Sequence, residues 1–371
     1  MGIPITRQEE TVKLSVKISI ITAIMLSSAL CFWSAAADTN YWNPKGSPLS
    51  DEGMMKTLEQ VEPRTIVTNL PFNITNSGSY YLVRPMFGSD GNYGIAISAS
   101  EVKLDLNGFS LNGTANSLSG IKVTSLAENI SIRNGVLRNW GQFGIDATNG
   151  IDVVIMDVKA YGNGYGGIYA GQNAIMERCS VYGCGFGAGA VGHNPPWNDG
   201  IQAGSFSTIK DCKIRGNGGA GIHTYNHSRV IGCTSVLNTN ANGIFLQDYC
   251  TASDCTAASN KIGISIFNKC RVINNTVGEN GLLGQLNWPN GIEINGNNNL
   301  VEKNAVSYNF VGIRVMGTGN LVINNFVTKS LNTDIYTPNT SNYVGAISTH
   351  TSNYGEITNS NPWMNFSFGG P

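Results

Sequence analysis

From about residue 93 onward the chain repeats one short pattern: a glycine, an isoleucine, an outward position of any kind, and a second apolar or small residue. The Gly-Ile pair recurs at Gly94, Gly120, Gly144, Gly167, Gly200, Gly221, Gly243, Gly263, Gly291 and Gly312, and Asp334-Ile335-Tyr336-Thr337 reads as one more copy without its glycine. Alternation over three or four residues is strand periodicity. It predicts that the positions at glycine +1 and +3 (Ile222 and Thr224, Ile244 and Leu246, Ile264 and Ile266, Ile313 and Val315) face a core, and that +2 and +4 face out. No helical pattern interrupts the series.

A second column runs with the first. Twelve to fourteen residues after each glycine stands a small polar or thiol residue ahead of another apolar strand: Asn107, Asn134, Asp157, Cys179, Cys212, Cys233, Cys255, Asn275, Asn304 and Asn325. Repeats of this length built from short strands are the signature of a β-solenoid, in which each coil pairs with the coils above and below. The expectation is a parallel solenoid of about ten coils, ~4.8 Å apart, with Asn and Cys side chains stacked in ladders. Terminal coils need covers. Met54, Met55, Leu58 and Val61 lie at helical spacing in 52–61, and Trp363, Phe366 and Phe368 can plug the far end. The predicted organisation is a leader over 1–37, an N-terminal segment and cap over 38–92, the solenoid over 93–337 and a C-terminal cap over 338–371.

Composition sharpens this. Only 13% of the 371 residues are charged, 45 are glycine and the formal net charge is −1. That favours an all-β chain and gives no basic excess for a nucleic acid partner. Arg7, Lys13 and Lys17 precede an apolar run from Ile18 to Leu30, followed by Ser34-Ala35-Ala36-Ala37 and Asp38. A run this short, where a span needs ~20 residues, followed by small residues, predicts a secretory signal peptide over 1–37. A retained anchor is the alternative, since Cys31-Phe32-Trp33 extends the run. With the leader removed, no stable membrane insertion is expected, and the location is secreted, cell-surface or periplasmic.

Several segments resemble a known group. Val61-Glu62-Pro63-Arg64-Thr65, Gly78-Ser79-Tyr80-Tyr81-Leu82, Leu104-Asp105-Leu106-Asn107-Gly108-Phe109 and Asn361-Pro362-Trp363 are similar to motifs of secreted bacterial right-handed parallel β-helix repeat proteins of the pectate-lyase-like superfamily. The resemblance extends over nearly all of the chain after residue 37. It implies a right-handed parallel β-helix; the group itself carries no assigned reaction, and the wider superfamily implies polysaccharide lyases, hydrolases and epimerases.

Eight cysteines in an exported chain suggest disulfides. Four of them, however, share one ladder column, where burial makes a thiol a small hydrophobe. Cys250 and Cys270 are neighbours on adjacent coils. A bridge between them is permitted by spacing, but parallel Cβ directions favour stacked thiols. No Cys-x-x-Cys pair or His cluster has metal-ligand spacing, so neither a metal nor another cofactor is expected.

The coil lengths point to a site. The glycine-to-ladder distance is constant, so the extra residues of the two long coils fall after the ladder, at about 185–199 and 281–290, both at one corner. They are four coils apart, ~19 Å. Each carries a tryptophan (Trp197, Trp288), and between them the outward columns present Gln202, His223, Phe245, Ser265 and Glu293 at +2, and Tyr225, Gln247 and Phe267 at +4. Aromatic rings flanked by amides suit sugar faces and hydroxyls. A short polysaccharide segment is the expected partner, held by His193, Trp197, Asn198, Asp199, Gln202, Gln247, Trp288 and Glu293. His223 and Tyr225, two apart on one strand, are the candidate base and acid of a metal-free lyase acting on an acidic glycan. The alternative is a non-catalytic glycan-binding or structural surface protein. Oligomeric state is not legible.

Overall fold

The computed structural model describes residues 63–187, 198–281, 289–350 and 361–368, and every helix or strand assigned among them is a β-strand. The Gly-Ile segments form a twelve-stranded parallel sheet with the predicted register: Ile201, Ile222, Ile244, Ile264, Ile292 and Ile313 stand in line across six successive strands. Two further faces belong to a 24-stranded sheet. One runs through Thr208–Lys210, Arg229–Ile231, Thr251–Ser253 and Arg271–Ile273, the other through Lys213–Arg215, Thr234–Val236, Thr256–Ala258 and Thr276–Gly278. This is a right-handed parallel β-helix with three faces per coil. The +1 and +3 side chains of the ten glycine-marked coils are inside, and Thr224 is as fully buried as its isoleucine neighbours.

The stack begins upstream of residue 93. Phe72–Ile74 pairs with Ile95–Ile97, with Phe72 opposite Ile95, so Pro71 takes the place of the repeat glycine and hides this coil from the glycine series. The segment over 1–37 and the apolar positions of 52–61 lie outside the described residues. Among the described residues no helix is long and apolar enough to cross a membrane.

Each corner of the solenoid is made the same way. A residue with positive φ reverses the chain, and the next residue turns its side chain inward. At one corner the pairs are Arg178-Cys179, Asp211-Cys212, Asp254-Cys255, Asn274-Asn275, Lys303-Asn304 and Asn324-Asn325, with φ between 51° and 58° at the first residue of each. The inward amide then accepts the backbone N–H of its counterpart one coil earlier, as from Asn275 to Asn304 (2.9 Å) and from Asn304 to Asn325 (3.0 Å). These bonds satisfy polar groups at the bends, where a buried N–H without a partner costs about 1–3 kcal/mol.

The early part of the predicted column needs correcting. Asn134 and Asp157 are exposed and hold the positive-φ position; Gly135 and Val158 sit in line with the cysteines. Asn and Asp tolerate left-handed backbone, so their side chains served the turn and not the ladder. Two more ladders exist that the glycine series did not reveal. Trp140, Asn163, Cys184, Asn217, Asn238, Asn260, Asn280 and Asn309 line the corner before the Gly-Ile sheet. Ser207, Ser228, Cys250, Cys270, Asn299 and Asn320 line the corner after it. All seven cysteines among the described residues are buried, free thiols, Cys250 and Cys270 included. Burial pushes the Cys184 thiol up to about 11, which makes it unreactive at neutral pH.

At the far end the ladder is continued by Asn365, whose Oδ1 accepts from the Asn325 N–H at 3.0 Å, while Met364 is buried. Trp363 is 56% exposed and does not plug the coil. Among the described residues the indole inside the solenoid is Trp140, at the start of its ladder, where its Nε1–H donates to the Leu111 carbonyl at 3.2 Å.

Candidate functional site

The outward +2 column of the Gly-Ile sheet runs Lys122, Asp146, Tyr169, Gln202, His223, Phe245, Ser265, Glu293, Arg314 in strict register. Charges sit towards its ends and satisfy each other. Lys122 Nζ lies 2.6 Å from Asp146, and Arg314 lies 2.7 Å from Glu293. Glu293 also accepts from Asn290 (2.9 Å) and Asn295 (3.1 Å). Glu293 lies three strands on from His223, so the two do not form one constellation.

The middle of the column does. Asp199 is 3% exposed, on the residue just before the Gly200 strand. Its Oδ1 accepts from the Ala220 N–H at 2.7 Å and its Oδ2 lies 3.0 Å from His223 Nδ1. A carboxylate only accepts, so Nδ1 carries the hydrogen and a neutral His223 leaves Nε2 with its lone pair. That Nε2 is buried and has no hydrogen-bond partner. The Tyr225 ring stacks on the imidazole (centroids 5.2 Å, 17°), the Phe245 edge meets it at 4.8 Å, and Gln202 Nε2 donates to the Tyr225 oxygen at 3.2 Å. Beneath them the Asp199 N–H donates to the Tyr169 oxygen at 3.1 Å. Burial, with the Asp199 charge nearby, pushes the Tyr169 hydroxyl far above the ordinary tyrosine range, so Tyr169 positions Asp199 as a neutral phenol.

Of the residues expected from sequence, the structure gathers His223, Tyr225, Asp199 and Gln202. Gln247 is half-buried one strand on from Tyr225, and Asn198 has a buried Oδ1 without a partner. His193, Trp197 and Trp288 lie outside the described residues. Tyr169 was missed although it occupies the same +2 column, one strand before Gln202; column membership was the available signal. Asp146, another carboxylate on this face, is neutralised by Lys122 and accepts from the Thr148 hydroxyl at 2.7 Å. Among the described residues no group of three His, Cys, Asp or Glu side chains is placed to hold a metal ion.

Comparison with known proteins agrees on architecture. The family described as right handed beta helix region matches residues 72–235. No curated protein matches the sequence. Among solved structures, the A-module of the mannuronan C-5 epimerase AlgE4 of Azotobacter vinelandii superposes with a TM-score of 0.60 at 13% identity, covering 76% of this chain and 88% of that one. The AlgE6 A-module of the same organism gives 0.55 at 14% identity, over 83% and 89%. The Dettilon tailspike protein gives 0.57 at 14% identity, over 82% of this chain and 61% of that one. At such identities the likeness concerns the fold: the chain is a right-handed β-helix repeat protein.

Proposed function

We propose that this protein acts on a polysaccharide laid along the Gly-Ile face, removing a proton from a uronic acid residue at His223. The observation that carries the reading is the Asp199–His223 pair, with a carboxylate fixing one imidazole nitrogen and the other left bare and shielded. An unsatisfied buried polar atom costs stability and is retained where it has work to perform. The solved structures of similar fold that act on mannuronan lend support at the level of substrate class.

In the reaction, His223 Nε2 takes the C5 proton of the uronic residue. The electron pair of that C–H bond forms the C4–C5 double bond, the C4–O bond breaks, and the departing oxygen takes the Tyr225 phenolic proton. Asp199 stabilises the imidazolium through Nδ1–H. The Gln202 amide, which donates to the Tyr225 oxygen at 3.2 Å, holds that hydroxyl in position beside the imidazole. Asn198 and Gln247, two of the amides named in the sequence analysis, donate N–H groups to the sugar carboxylate.

The test is incubation with uronate-containing polysaccharides while following absorbance of the unsaturated product. His223→Ala is expected to lower kcat by ~10²–10⁴-fold, the usual weight of a general base, with glycan binding retained. Full activity in His223→Ala would overturn the assignment. Binding without any unsaturated product or new reducing end would instead identify a glycan-binding module.

A further inference from the structure

At the start of the first insertion and on the coils before it, on the same corner from which both insertions leave, the surface sinks into a cleft of about 760 Å³. It spans four coils, from Ala115–Leu118 through Asn139–Gln142 and Gly162–Tyr165 to Gly187. Its floor is bare backbone. A Cβ on Gly164 would stand 2.2 Å from the Gly141 carbonyl oxygen, and one on Gly187 would stand 2.7 Å from the Gly164 Cα. Glycine therefore lets these coils close up and keeps the floor free of side chains. The walls are amide and aromatic: Asn116, Asn139, Gln142, Tyr165 and Phe186, the last 61% exposed. Among the described residues, none that lines the cleft is charged.

We propose that this cleft is a binding site for uncharged sugar residues. Its volume lies within the ~300–1,000 Å³ of small-ligand sites. An exposed phenyl ring supplies a platform for the apolar face of a pyranose, and amides with carbonyls answer its hydroxyls. With no cation among the described wall residues, a uronate carboxylate there would lose water without a counter-charge from them, which is unfavourable. The cleft also touches the candidate site. Tyr165 packs on Phe143 (5.7 Å), Phe143 on Tyr169 (4.5 Å), and Tyr169 holds the Asp199 backbone. If the reaction assigned to His223 holds, the two sites belong to one polymer, in which neutral residues extend towards the N-terminal coils from the uronate that reacts. The cleft assignment itself does not depend on that reaction.

Calorimetric titration separates the two. Cellohexaose and mannohexaose serve as neutral probes and hexamannuronate as the charged one, with wild type, Phe186→Ala and His223→Ala, each checked for an unchanged melting temperature. At least one neutral hexasaccharide is expected to bind wild type, at least tenfold more weakly to Phe186→Ala, and within twofold of wild type to His223→Ala. Absence of binding by both neutral probes, or equal binding to wild type and Phe186→Ala, would overturn the cleft assignment. Neutral binding as expected, with no turnover of any uronate polymer, would leave the cleft standing and remove the lyase.

Discussion

At the residue scale the solenoid depends on single amides that serve two coils. Asn238 Oδ1 accepts from the Asn217 N–H (2.9 Å) and its Nδ2 (3.2 Å), while Asn238 Nδ2 donates to Asn260 Oδ1 (2.9 Å). Asn238→Leu removes both functions and leaves the Asn217 N–H buried without an acceptor. An orphaned group costs about 1–3 kcal/mol, and the added bulk acts in the same direction. We expect a loss of about 3 kcal/mol in urea unfolding. Asn238→Cys should lose clearly less, because Cys184 already fills the same column. Equal losses for Leu and Cys would show that a thiol cannot replace the amide as the acceptor in this column. The site uses the same economy of single residues. His223 was legible because it stands in an outward column beside an aromatic two positions on. Its partner Asp199 was legible only as a loop-end carboxylate, because the 3.0 Å contact joins residues 24 apart.

At the element scale the Gly-Ile strand is set by what its glycine allows. A Cβ on Gly221 would lie 2.0 Å from Ser235 Oγ and 2.7 Å from the Gly243 carbonyl oxygen. The nearer atom belongs to a hydroxyl that donates to Gly243 at 2.6 Å, and the farther is backbone of the next coil, so neither yields freely. Gly221→Ala is expected to cost about 1–3 kcal/mol, the range for overpacking, and Gly221→Val more, measured as a fall in melting temperature. An unchanged melting temperature in Gly221→Ala would mean that the glycine column marks the turn only, with no packing demand. This spatial demand is why the glycine series located ten strands correctly. It failed at Phe72–Ile74, where Pro71 fills the glycine position ahead of the first glycine of the series, whereas the unmarked strand Thr333–Tyr336 was found because it continues the spacing.

At the scale of the molecule, stability spreads along the stack and the ends carry particular weight. Deleting 338–371 would remove Asn342, which accepts from the Asn320 N–H at 3.0 Å, and Asn365, which accepts from Asn325. It would also uncover Val322 and Val327. We expect the truncated protein to melt lower and to self-associate in sedimentation, because unpaired strand edges and open ladders invite pairing with another chain. Trp363→Ala, at an exposed position, should leave the melting temperature nearly unchanged. A large fall there would restore the indole as the plug.

The sequence by itself determined the architecture. A one-coil period with alternating burial admits few solutions other than stacked parallel strands, since shifting a strand by one residue would turn its core face to water. It also determined which columns face out, and hence that Gln202, His223 and Tyr225 share a surface. Tertiary structure alone decided which outward groups are spoken for. Lys122 with Asp146 and Glu293 with Arg314 neutralise one another, while Asp199 fixes a single nitrogen of His223. It alone decided, too, that three glycines on successive coils leave an uncharged hollow. Periodicity is a property of spacing along the chain. Hydrogen bonds, ion pairs and cavities depend on distances between coils, which spacing does not encode.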